Sequence, residues 1–163
     1  MTRLAWNRFY VVIGSFLTVF GVMNFAELLF GWKDRTEQFT RYLSKTFAPL
    51  LGFDAAQGVD PALWAMKSVE LVLGLVALAG VVSAWRGVFR AATRYLAAAT
   101  SGWLIVFTGM SAMDIWAADR AELQEHTLYF VGFAMLLLVV LGVHLAQRLT
   151  EALPRLEATF SQT

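Results

Sequence analysis

The chain has no cysteine, which excludes disulfides, thiolate metal sites, thiol redox catalysis and covalent attachment of a c-type haem. Histidine is nearly as scarce, with His126 and His144 the only two. On one helix their spacing of five full turns would put them on a common face but about 27 Å apart, so they cannot bind one metal. A haem would then need a methionine (Met23, Met66, Met110 or Met113) or another subunit's histidine as its second axial ligand. Serine-histidine-acid, glycine-rich phosphate and Walker arrangements are all missing. Catalysis, a bound metal and a cofactor are therefore not expected. Lysine and arginine number 13 against 12 acids, a net charge of +1 that offers a nucleic acid no basic surface. Of the three prolines, none falls inside a long apolar run.

What the sequence has in abundance is apolar surface. Hydrophobic residues make up 58% of its 163 positions, and mean hydropathy is +0.60, too apolar for an ordinary soluble domain. Four runs reach the length of roughly 20 residues needed to cross a hydrocarbon core. They fall at about 10–30, 62–85, 95–116 and 127–149. The first run follows Arg3 and Arg8 and could pass for a signal peptide. It is long for that role and lacks a small-residue cleavage pattern, so a retained span is expected.

Short connections and proline-free spans predict a single all-α membrane domain, an up-down four-helix bundle. The one long connection, 32–60, contains Phe39, Tyr42, Leu43 and Phe47 at helical intervals, with Asp34 and Glu37 at capping-box spacing. An amphipathic helix lying at the membrane interface is expected there. A polar tail, 150–163, is expected to form a short surface helix broken near Pro154.

Charge asymmetry predicts which way up the bundle sits. The N-terminal arm, the Arg86–Arg94 loop and the tail hold seven arginines against Glu151 and Glu157, whereas the opposite side holds five basic residues against seven acids. The positive-inside rule then puts both termini in the cytoplasm. Trp6 and Trp85 would mark the inner boundary, and Trp32, Trp64 and Trp116 the outer one. Trp103 is deep.

In that orientation the ionisable residues of the spans gather near the outer side. Asn24 and Glu27 end the first span, Lys67 and Glu70 begin the second, Asp114 ends the third and His126 begins the fourth. None lies at the bilayer centre, where a charge would cost several kcal/mol. Asp60-Pro61 is expected to start the second helix, as N-cap and first helical residue. From there Lys67, Glu70, Gly74, Ala77, Val81 and Ala84 follow on one face, so a charged pair runs on into small residues that admit a neighbouring backbone. Two readings of the charges stand: a polar pocket for a proton, a cation or a quinone head group, or an interhelical ion-pair network in which Lys67 meets Glu27, Glu70 or Asp114.

Asn24, the segment Phe39–Ser44, Glu70 and the stretch Trp103–Trp116 together resemble a bacterial family of small integral membrane proteins, domain of unknown function 2165. The resemblance covers most of the chain. It implies a bacterial inner-membrane location and four spans, without implying an activity. The function expected is that of a non-catalytic accessory subunit packed against a larger membrane complex, possible partners being respiratory subunits or further copies of itself. The alternative is a small transporter or sensor built on the outer pocket.

Overall fold

A computed structural model describes the backbone of residues 3–160 apart from residue 53, and the side chains of 5–31, 36–52 and 54–152. Six helices follow one another: α1 (Arg3–Phe30), α2 (Trp32–Lys45), α3 (Phe47–Leu51), α4 (Ala55–Trp85), α5 (Phe89–Ala117) and α6 (Arg120–Phe160). Among the described residues there is no strand. α1, α4, α5 and α6 are each long and apolar enough to cross a membrane, as the four runs predict.

These four helices alternate in direction. One end of the bundle gathers the close of α1, the start of α4, the close of α5 and the start of α6, and is called here the carboxylate end. The other gathers Arg8, Arg86, Arg90, Arg94 and Arg148 and is called the arginine end.

Several boundaries differ from those expected, for local reasons. α4 begins at Ala55 because Asp54 caps it, its carboxylate accepting from Ala56 N at 3.0 Å. Pro61 consequently lies inside the helix, where its missing N–H leaves one carbonyl without its helical donor. At 31 residues α4 is about 46 Å long, well beyond a hydrocarbon core, so its first turns extend past the span. α6 begins at Arg120 rather than Thr127 because Asp119 Oδ1 accepts from Glu122 N at 3.3 Å. Its backbone also stays helical through Thr150 to Phe160, with no break at Pro154, whose side chain lies outside the described residues.

The helix expected in the 32–60 connection is present as α2, followed after one residue by α3. Its N-cap is Gly31, without a side-chain cap; the side chains of Trp32 and Asp34 lie outside the described residues. α2 and α3 pack Leu43 and Ala48 against Leu28, Ala55, Val59 and Leu63 in a separate small core. They cover the carboxylate end.

Between hydrocarbon tails and side chains there is little hydrophobic driving force, so the bundle is held by close packing. The predicted face of α4 is buried from Lys67 to Ala84. At its centre α1 and α4 meet backbone to backbone: a Cβ on Gly21 would fall 2.6 Å from Glu70 O and 2.8 Å from Gly74 Cα. α4 packs on α5 and α5 on α6, while the backbones of α1 and α6 stay apart. Aromatic rings fill the gap between them. Phe20 of α1 packs edge-on to Trp103 at 4.8 Å and against Phe133 of α6 at 5.4 Å, and Trp103 stacks on Phe107 and Phe133. Trp103 and Leu17 are fully buried there.

Trp64, Trp85 and Trp116 are exposed and Trp103 is buried. Trp6 differs. It is buried in the main core with Tyr10 and Ala92, because α1 begins at Arg3 and carries Trp6 onto the inward face.

Candidate functional site: a polar cavity at the carboxylate end

Each of the six candidate residues is positioned by its helix, and they fall into two pairs and two single contributors. Lys67 and Glu70, one turn apart on α4, form an ion pair with Nζ 2.8 Å from Oε2, and both are buried. Glu27, on α1, stands 3.9 Å from the same ammonium and is half exposed. The backbone contact at Gly21 and Gly74 explains this meeting, since both helices continue from it toward the carboxylate end. The second pair joins α5 to α6: Asp114 Oδ2 lies 2.6 Å from His126 Nδ1, and Asp114 is fully buried. An ionised carboxylate only accepts, so the contact calls for a proton on Nδ1. Asn24 donates from Nδ2 to Phe20 O at 2.8 Å, within its own helix.

Lys67 thus pairs with Glu70 and approaches Glu27, while Asp114 is the partner of His126. Lys67, Glu70 and His126 border a single cavity of about 420 Å³, lined by α1 (Phe20, Asn24, Glu27), α4 (Lys67, Glu70), α5 (Phe107, Met110) and α6 (Glu122, Glu125, His126, Tyr129). Asp114 stands behind His126 and is not on the wall. A smaller cavity of about 80 Å³ shares Lys67, Met110, Glu122 and His126 with it and is bounded by Phe39 and Tyr42 of α2.

Five polar wall residues were not among the candidates: Glu122, Glu125 and Tyr129, with Gln38 and Tyr42 in the smaller cavity. Glu122 and Glu125 look like loop acids if the helix starts at Thr127. The available signal was the Asp119-x-x-Glu122 spacing, a capping pattern that moves the start back two turns. Once helical, Glu122 and His126 stand one turn apart, with Glu122 Oε2 3.9 Å from His126 Nε2. Gln38 donates to Glu122 Oε1 at 2.8 Å and so ties α2 to α6 across the mouth.

The cavity wall carries four carboxylates, one ammonium and one imidazole, with Phe20, Phe107 and Tyr129 as its aromatic part. Phe107 and Tyr129 are stacked at 5.0 Å. Among the described residues, no three histidine or acidic side chains are grouped closely enough to hold a metal ion. No family model, curated protein or solved structure matches this chain. The chemistry of the cavity therefore rests on its own geometry. Acids in excess over bases, beside aromatic faces, suit a cation that is also partly apolar.

Proposed function

We propose that this chain is a non-catalytic, multi-pass protein of the bacterial inner membrane that binds a small organic cation, of the substituted-ammonium class, in the cavity at its outer-facing carboxylate end. One observation carries this reading: four carboxylates, Glu27, Glu70, Glu122 and Glu125, share a cavity with Lys67 as the single permanent cation and with three aromatic side chains. Carboxylates supply the Coulombic attraction, and ring faces attract a cation through their quadrupoles. The volume, about 420 Å³, is at the lower end of the range for small-molecule sites. The aromatic packing around Trp103 and Phe133 fills the bundle below the cavity. That favours a binding or sensing site over a conduit.

A second reading, an accessory subunit of a larger membrane assembly, is favoured by α6. Its apolar stretch is the least buried of the four long helices, and a Cβ on Gly132 or Gly142 would meet nothing within 4 Å. Those are positions where another helix could approach closely.

Purification in mild detergent followed by titration separates the two. If the protein isolates alone, calorimetry with tetramethylammonium and choline should register saturable binding that 3,3-dimethylbutan-1-ol, the neutral carbon isostere of choline, does not give. Glu27→Gln with Glu125→Gln should weaken it about tenfold or more, from two lost charge contacts. Stoichiometric copurification with larger membrane subunits, together with no ammonium binding, would favour the accessory role and overturn the cation site.

A further inference from the structure

A cavity larger than that of the carboxylate end lies at the opposite end of the bundle, where the sequence shows only a positive loop. It measures about 490 Å³ and opens between Trp6 of α1, the Gly87–Arg90 turn into α5, and the stretch of α6 from His144 to Glu151. Two arginines from different elements line it, Arg90 from α5 and Arg148 from α6. Both are exposed, and neither forms an ion pair among the described residues. Glu151 is the one acid on the wall, so positive charge is in excess.

The remaining wall is rich in hydrogen-bond donors. Gln147 is 8% exposed and its Oε1 accepts from Tyr10 at 3.4 Å, which leaves its amide nitrogen without a protein acceptor among the described residues. His144 has Nδ1 3.2 Å from Thr93 Oγ1, so Nε2 is its uncommitted ring nitrogen. α5 starts at this cavity with Val88 as its N-cap and no side-chain cap, so its first N–H groups add a partial positive charge. Gly87, at φ 73°, makes the turn that exposes them, with no atom within 4 Å of where its Cβ would be. Beside the opening, Val88, Leu145 and Leu149 are exposed apolar side chains suited to acyl chains.

We propose that this cavity binds a phosphate group, held between Arg90 and Arg148, and that an anionic phospholipid headgroup supplies it. Guanidinium groups match phosphate oxygens in a forked geometry that a lysine does not reproduce. Basic pockets between membrane helices recognise lipid headgroups in this way.

The test uses the full chain in detergent and reads binding by native mass spectrometry and thermal stabilisation, with phosphatidylglycerol, phosphatidylcholine and inorganic phosphate as probes. Phosphatidylglycerol should bind the wild type in preference to phosphatidylcholine. Arg90→Gln with Arg148→Gln should weaken it by about tenfold or more, from lost charge-assisted contacts. Arg94→Gln, which removes the same charge at the same end but off the wall, should bind as the wild type does. Arg148→Lys should fall between. If inorganic phosphate at millimolar concentration displaces the lipid, the phosphate chemistry stands and the source is soluble. Equal lipid binding by the wild type and the Arg90/Arg148 variant, or an equal loss in Arg94→Gln, would overturn the site.

Discussion

Asp114 is the residue whose environment is most demanding. It is fully buried, its Oδ2 meets His126, and its Oδ1 has no hydrogen-bond partner. A buried carboxylate deprived of its partner keeps its desolvation cost and loses the compensation. His126→Leu should therefore lower stability by about 1–3 kcal/mol. The double variant Asp114→Leu/His126→Leu should be less destabilised than His126→Leu alone, because it removes the carboxylate as well. Thermal unfolding in detergent checks both; equal losses would show that the unpaired carboxylate carries no desolvation cost. The pairing itself was not legible in the sequence. Asp114 and His126 are separated by a turn, and only the αL residue Ala118, with Asp119 as cap, folds them back on each other.

Glycines decide matters at the scale of the helices, and their sequence contexts do not distinguish them. Gly21 and Gly132 both interrupt apolar runs, yet one touches a backbone and the other touches nothing. Adding a methyl at Gly21 must move α1 from α4, because the atoms in the way are Glu70 O and Gly74 Cα rather than a flexible side chain. Gly21→Ala should cost about 1–3 kcal/mol, as overpacking does. Gly132→Ala has open space and gains about 0.5–1 kcal/mol of helix propensity over glycine. Comparing the two melting temperatures checks the contrast. The small-residue face of α4 was readable beforehand, since its spacings of three and four follow from helix geometry alone. Which glycine on α1 it would meet was not, because that depends on how far one helix slides along the other.

The whole molecule has opposite chemistry at its two ends: carboxylates around one cavity and arginines around another, with packed aromatic rings between. The even number of long helices brings the start of α1 and the close of α6 to the same end. With arginine held inside, Asp119→Cys should react with a membrane-impermeant maleimide in intact cells, and Thr150→Cys only after permeabilisation. The chain's own lack of cysteine removes background labelling. The reverse pattern would turn the bundle over and place the carboxylate cavity on the cytoplasmic side.

Composition and periodicity by themselves determined four apolar helices, the extra helix between the first two, and the polarity of the two ends. These properties follow from run length and from side chains counted along the chain, and need no knowledge of neighbours. Tertiary structure alone decided that Lys67 answers Glu70 and Glu27 while His126 answers Asp114, that Glu122 and Glu125 join the wall, and that Trp6 turns inward. Those outcomes depend on the rotation and axial shift of one helix against the next. In hydrocarbon these are fixed by which small residues let backbones touch, a property of pairs of surfaces rather than of any one segment.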